Sequence, residues 1–323
     1  MFEELIAQLK GKNRRLVFTE GSEPRILSAA VRLHQQGILV PVLLGDPAEI
    51  QAAAKEGGFD IEGIEIVDPT HFEKFDEMVD KMVELRKGKM DAEACRAALS
   101  KSNYFGTMLV KIGYVDCLLG GATYSTADTV RPALQLIKTK PGNKIVSSCF
   151  IMYREKDGKE EKYAMGDCAI NIAPNEDELV EITVETARTA RMFGIDPKVA
   201  LLSYSSLGSG KGDSVTLMQN ATTKVKALSP DFPVDGELQF DAAFSPEVAK
   251  TKAKGSPVAG QANTFIFPDV DAGNIGYKIG QRLGGFEAYG PLLQGLNAPI
   301  NDLSRGCNAE EVYKMAIITA AQK

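Results

Sequence analysis

Apolar positions along this chain follow two alternating rhythms. Short continuous runs read as buried strands: RLVFTE (15–20), ILVPVLLG (38–45), IEIV (64–67), VDCLLGG (115–121), KIVSSCFIMY (144–153), VALLSYSS (199–206) and TFIFP (264–268). Between them, apolar residues recur every three or four positions. In SEPRILSAAVRLHQQG (22–37), Ile26, Ala29, Ala30 and Leu33 share one face. Ser22 is placed to cap that helix, Pro24 suits its first turn and Gly37 stops it. Helical spacing also marks 72–87, 91–100, 103–112 and 213–228, and a helix running from the strand TFIFP to about 284. The segment 174–194 is a helix with clear punctuation: Asn175 and Glu178 have capping-box spacing, and Gly194 ends it. CAIN (168–171) reads as a short strand. YREKDGKEEK (153–162) interrupts the alternation, and its Asp-Gly pair predicts an exposed hairpin tip. The alternation before and after it predicts an α/β fold of two domains with mostly parallel sheets.

Composition narrows the function. The chain has 323 residues, 44% hydrophobic and 25% charged, enough to bury a core without disulfide staples. Its net charge is −6 and no basic run stands out, which argues against nucleic acid and anionic membranes as partners. No apolar stretch approaches the roughly 20 residues that span a bilayer. MFEELIAQLK lacks the basic-then-apolar order of a secretory signal. Cys95, Cys117, Cys149, Cys168 and Cys307 are scattered without CxxC spacing, so free thiols in a reducing cytoplasm are expected, with no zinc site. His34 and His71 are the only histidines, and the expected mechanism runs without them.

SLGSGKGDS (206–214) invites comparison with a nucleotide-binding P-loop. The pattern G-x-x-x-x-G-K-[ST], anchored on Gly210 and Lys211, puts Ser205 at the first glycine position and Gly212 at the Ser/Thr position. Both defining positions fail, and Gly212 has no hydroxyl for a metal. The stretch is expected to be a strand-to-helix turn.

Three other stretches gather polar groups between apolar runs. In GGATYSTADTVRPAL (120–134), the glycine pair follows a strand, at the sheet edge where open α/β folds bind ligands. Ser125 and Thr126 offer hydroxyls at a helix start, where free N–H groups suit a phosphate, and Arg131 adds a guanidinium fork. In PDVDAGNIGYKIGQRLGG (268–285), Asp271, Gly273, Asn274, Tyr277 and Lys278 follow the strand TFIFP. In GLNAPINDLSRGCNAEEVYKMA (295–316), Asn301, Asp302, Ser304 and Arg305 lie in one loop. Asn308 and Glu311 then show capping-box spacing. An arginine and a hydroxyl before a helix are set up to hold an anion or a developing oxyanion.

NDLSRG (301–306), GATYSTADTVRPALQ (121–135) and DAGNIGYK (271–278), with FTEGSEPRIL (18–27) and the closing NAEEVYKMAIITAAQ, resemble the phosphate acetyltransferases (phosphotransacetylases) of the phosphate acetyl/butyryltransferase family. The resemblance runs essentially end to end. It implies the architecture of isocitrate- and isopropylmalate-type dehydrogenases: residues 1–143 with 299–323 as one α/β domain, 144–298 as the other, and an active site in the cleft between them. It implies reversible conversion of acetyl phosphate and coenzyme A (CoA) to acetyl-CoA and phosphate through a ternary complex, by a cytoplasmic homodimer. Coenzyme A is then a substrate, with no metal and no cofactor.

The resemblance also implies residue roles. Arg305 would hold the phosphoryl group, shared with Ser125, Thr126 and Tyr277. Ser304 would donate to the carbonyl oxygen as charge develops. Glu311 stands where the family usually has an aspartate as thiol base, one methylene longer here, and Glu310 is a competitor. Arg86, in ELRKGK, and Arg131 match arginines tied to coenzyme A. A thiol of pKa ~8.5 needs such a base near neutral pH. Three other readings stay open: a phosphate butyryltransferase, a decarboxylating dehydrogenase, and a non-catalytic module binding acyl phosphate or CoA.

Overall fold

A computed structural model describes residues 1–323, which divide into two units: Met1–Pro141 with Leu296–Lys323, and Gly142–Gly295. The first unit begins with α1 (Phe2–Leu9), β1 (Arg15–Phe18), α2 (Pro24–Gln35), β2 (Val40–Leu44), α3 (Pro47–Gly57) and β3 (Glu65–Val67). Helices α4 (Phe75–Arg86), α5 (Ala92–Leu99) and α6 (Ser102–Lys111) then lead to β4 (Cys117–Gly120) and α7 (Thr126–Pro132). A π-helical turn, Ala133–Ile137, continues α7. Pro24 opens α2 as expected, but Ser22 does not cap it. Glu23 does, its carboxylate accepting from the N–H groups of Arg25 (2.9 Å) and Ile26 (3.3 Å).

The second unit contains β5 (Ser147–Lys156), β6 (Lys159–Gly166), α8 (Glu176–Met192), β7 (Val199–Leu202), α9 (Asp213–Ala227), β8 (Val234–Leu238), α10 (Phe240–Phe244), α11 (Pro246–Lys252), β9 (Thr264–Ile266), α12 (Val270–Arg282) and β10 (Glu287–Gln294). Its sheet order is β10-β5-β6-β9-β7-β8. The four strands from β6 to β8 run parallel, and β5 is antiparallel to both its neighbours. Asp157 and Gly158 turn the β5–β6 hairpin with φ of 52° and 71°, the conformation that a two-residue turn between twisted strands requires. The capping box at Asn175 and Glu178 forms as expected.

CAIN is not a strand. Asp167, 2% exposed, accepts from the N–H groups of Ala169 (3.0 Å), Ile170 (3.2 Å) and Asn171 (3.0 Å). A carboxylate facing the backbone two to four residues on offers those donors a local partner, and a loop replaces the sheet ladder.

The first unit closes with β11 (Ile300–Asp302) and α13 (Ala309–Ala321). Its sheet is wholly parallel, in the order β11-β4-β1-β2-β3. From β1 the chain steps outward to β2 and β3, while β4 and β11 lie on the other side. At this switch in strand order an open α/β sheet offers its carboxyl edge to ligands, and here the loops after β1 and β4 are bonded to each other through Glu20. Buried Val17, Val42, Leu118, Phe105 and Met108 belong to the core behind this edge. In the second unit, Ala200, Leu202 and Phe265 point into one core while Val199, Leu201 and Ile266 point into another, as strands covered on both faces require. The expected α/β class, with mostly parallel sheets, is what the chain adopts. No helix is long and apolar enough to cross a membrane. All five cysteines are unpaired and buried.

Candidate active site

The carboxyl edge of the first unit's sheet is built by close backbone approach. A Cβ on Gly120 would lie 2.1 Å from both Thr19 Oγ1 and Tyr124 Oη, which are themselves bonded at 2.8 Å. A Cβ on Gly121, at φ +99°, would lie 2.2 Å from Asp302 Oδ1. The glycine pair thus lets three strand ends meet. The N–H groups that follow it face a carboxylate of the chain itself. Glu20 accepts from the N–H groups of Gly121 (3.0 Å), Ala122 (3.3 Å) and Thr123 (2.6 Å), and from the Thr123 hydroxyl (2.7 Å).

Arg25 ties this loop to the NDLSRG segment. One guanidinium nitrogen donates to the carbonyls of Arg305 (2.9 Å) and Cys307 (2.8 Å), and the other to the carbonyl of Ala122 (3.1 Å). Glu23 holds its Nε at 2.8 Å. The motif FTEGSEPRIL contains Arg25, but nothing in its spacing indicates a partner 280 residues away.

Beyond the glycine pair, Ser125 and Thr126 do begin α7. Ser125 is the N-cap residue, yet its hydroxyl donates to Asp128 Oδ2 at 2.7 Å rather than capping the backbone. The Thr126 hydroxyl donates to Asp302 Oδ2 at 2.6 Å, and that of Thr129 to Asp302 Oδ1 at 2.5 Å. Both expected phosphate-binding hydroxyls therefore face side chains of the protein, while Thr126 and Ala127 lie exposed at the start of the helix. Burial pushes the Asp302 carboxyl up to about 6. The two threonine hydroxyls oppose that rise, and Glu20 and Asp128 add to it.

Ser304 and Arg305 follow β11 after Leu303 and are exposed. The Ser304 hydroxyl accepts from the Gly306 N–H at 3.3 Å. The Arg305 side chain has no ion-pair partner, although its carbonyl is held by Arg25. Glu311 lies in the first turn of α13, where it and Asn308 form a complete capping box. Glu310 pairs with Arg32. Arg131, on α7, lies 3.8 Å from Asp128 and is largely exposed. Arg86 ends α4, and its buried Nε has no hydrogen-bond partner.

Tyr277 belongs to the second unit, on α12. Its ring stacks on Phe150 with centroids 3.9 Å apart, and burial pushes its phenol up. The helix that carries DAGNIGYK is capped by Asp269, two residues before the motif, which accepts from the Ala272 N–H at 2.8 Å. Gly273 packs where a Cβ would be 2.3 Å from the Asp167 carbonyl, and Asn274 donates to the Cys168 carbonyl at 3.1 Å. These two residues dock α12 against the end of β6.

The stretch 206–214 is the strand-to-helix turn expected, and it is closed around a carboxylate. Glu237 Oε1 accepts from the Ser205 hydroxyl (2.7 Å) and the Gly208 N–H (2.8 Å), and Ser205 Oγ accepts from the Gly210 N–H (2.8 Å). Burial pushes Glu237 up, but these hydrogen bonds outweigh it and hold the group below the usual glutamate range.

The sequence profile of the phosphate acetyl/butaryl transferase family matches residues 1–320. The phosphate acetyltransferase of Bacillus subtilis (strain 168) is 52% identical over 322 residues, 100% of this chain and 98% of that protein. A phosphotransacetylase from Streptococcus pyogenes superposes with a TM-score of 0.96 at 53% identity, over 99% of this chain and 97% of its own. EutD phosphotransacetylase from Staphylococcus aureus does so with a TM-score of 0.92 at 49% identity, over 99% and 97% respectively. With three separated motifs in order and a match over nearly its whole length, the chain belongs to the phosphate acetyl/butaryl transferase family.

Proposed function

We propose that this chain is an acyltransferase that moves an acetyl group reversibly between acetyl phosphate and coenzyme A. The observation that carries the reading is Arg305: an exposed guanidinium with no ion-pair partner, its backbone anchored by Arg25, next in sequence to Ser304 at the carboxyl edge of a parallel sheet. Half-identical relatives named phosphate acetyltransferase favour acetyl over butyryl.

In this reading Arg305 binds the phosphoryl group, and the exposed start of α7 at Ser125 and Thr126 adds backbone donors. Arg86, with an unsatisfied buried nitrogen, and Arg131 bind the phosphates of coenzyme A. Glu311 takes the thiol proton. The sulfur then attacks the carbonyl carbon, and Ser304 donates to the oxygen that becomes negative, a contact worth about 3–4 kcal/mol. The carbon–oxygen bond to phosphate breaks, and phosphate leaves with the electron pair. Coenzyme A is a substrate, and the proposal needs no resident cofactor or metal.

The proposal includes a homodimer in a reducing cytoplasm. Ile275 and Ile279 on α12 and Leu283 at its C-cap are 58%, 53% and 86% exposed at helical spacing. Ile279 also lines a cavity of about 510 Å³, together with Phe240, Phe244, Phe265 and Phe286. Protruding apolar side chains next to an apolar recess on one face suit a second copy related by a two-fold axis. Sedimentation of Leu283→Glu against the unaltered protein tests this, and a monomer in both would remove it.

The activity is tested with purified protein, by thioester formation from coenzyme A with acetyl phosphate or butyryl phosphate. Faster turnover of acetyl phosphate is expected. Preference for butyryl phosphate would reassign the substrate, and binding without turnover would leave a non-catalytic module.

A further inference from the structure

We propose that Asp302 is a positioning residue of the acyl-phosphate site, locking the first turn of α7 to the strand end that carries Ser304 and Arg305. The inference rests on the function proposed above. Thr126 and Thr129 are three residues apart and so share a face of α7. Their hydroxyls donate to different oxygens of one carboxylate, at 2.6 and 2.5 Å, which fixes the rotation of the turn as well as its distance. Asp302 itself is fixed on two sides. The N–H of the next residue, Leu303, donates to the Gly120 carbonyl at 2.7 Å. Gly121 packs so closely on Oδ1 that only a hydrogen fits. Ser304 follows two residues later.

A purely structural origin does not explain the choice of a carboxylate. Asp302 is 2% exposed, and its partners are two neutral hydroxyls. The charged neighbours that act most on Asp302, Glu20 after β1 and Asp128 on α7, are themselves carboxylates. Burying a carboxylate on those terms is unfavourable, and a packed apolar pair would hold the turn more cheaply. Asp167 of the second unit shows the contrasting structural solution: three backbone N–H groups, the Ser148 hydroxyl and the Asn171 amide all donate to it. What Asp302 does instead is hold the Thr126 hydroxyl inward. The first turn of α7 is thereby bonded to the strand end that leads into Ser304 and Arg305, so that this strand end is held against a fixed element.

The test compares Thr129→Val, which deletes the hydroxyl at nearly constant shape, with Thr129→Ser, which keeps it. Thr129→Val is expected to raise the KM for acetyl phosphate about tenfold while the KM for coenzyme A stays within about twofold, and Thr129→Ser to restore the acetyl phosphate value. Equal shifts in both constants, or none in a folded Thr129→Val protein, overturn the inference. Should Thr129→Val not fold, Asp302→Asn is measured in the same way, with the same selective rise expected and an unchanged KM counting against the proposal. Calorimetric titration with inorganic phosphate runs in parallel. If the unaltered protein shows no acetyl transfer, the functional reading fails. Weaker phosphate binding by Thr129→Val, restored by Thr129→Ser, then still supports the positioning role, and equal binding rejects it.

Discussion

Asn308 and Glu311 cap each other. Asn308 Oδ1 accepts from the Glu311 N–H at 2.9 Å, and Glu311 Oε2 accepts from the Asn308 N–H at 3.0 Å. The proposed thiol base is therefore also a helix cap, and the two roles separate by substitution. Glu311→Gln keeps an oxygen that accepts the capping bond, so stability should change by less than about 0.5 kcal/mol. Loss of the base should lower turnover by about a hundredfold and flatten the acidic limb of the pH–rate profile. An unaltered profile would move the base to Glu310 or Asp302.

Arg305 and Arg25 make opposite predictions. The Arg305 side chain holds no other element, so Arg305→Ala should melt like the unaltered protein and lose two or more orders of magnitude in turnover. Ser304→Ala should do the same. Arg25→Ala removes donors to three carbonyls and should cost about 2–4 kcal/mol. Urea melts and initial rates on the three proteins decide this. Native rates in both Arg305→Ala and Ser304→Ala would remove the site assignment.

The raised pKa of Asp302 has a sign that can be measured. The folded state binds this proton more tightly than the unfolded chain, so the group's contribution is most favourable below the ordinary aspartate value near ~4. It is lost as pH rises through about 6. A shift of about two units corresponds to ~3 kcal/mol at about 1.4 kcal/mol each. Asp302→Asn does not titrate, so its stability relative to the unaltered protein should rise by that order between pH 4 and pH 7. A difference in stability that stays constant with pH would show that Asp302 is ionised normally.

Gly121→Ala should be among the most disruptive single changes to the first unit. It combines a left-handed φ of +99° with a Cβ 2.2 Å from Asp302 Oδ1, and neither can relax without moving β11 or the loop after β4. A loss above about 3 kcal/mol is expected in denaturant melts. Gly113→Ala, also at positive φ but with nothing within 4 Å, should cost only about 1 kcal/mol.

The alternation of apolar runs and helical spacing was enough to identify an α/β chain, because strands covered on both faces and amphipathic helices leave different periods. It also placed the hairpin at Asp157 and Gly158 and both capping boxes, since those are local in sequence. Local reading failed where distant atoms decide. The three residues of β11 become a strand only by pairing with β4. CAIN fails for a local reason, the Asp167 carboxylate that takes its N–H groups. In the site, the motifs were visible as residues and their partners were not. Thr126 and Thr129 find Asp302 more than 170 positions away, and Arg25 finds Arg305 280 positions away.

The sequence by itself determined which chemical groups are present and which short segments are rigid, since propensity, capping and turn geometry act over a few residues. Only the tertiary structure decided which of those groups stay available to a ligand. Glu20 and Glu237 take up the N–H groups of the two glycine-containing loops, Asp302 takes the hydroxyl of Thr126, and the Arg305 side chain is left without an ion-pair partner. The physical reason is that each hydrogen-bonding group is satisfied by the partner nearest in space, and chain order does not record that distance.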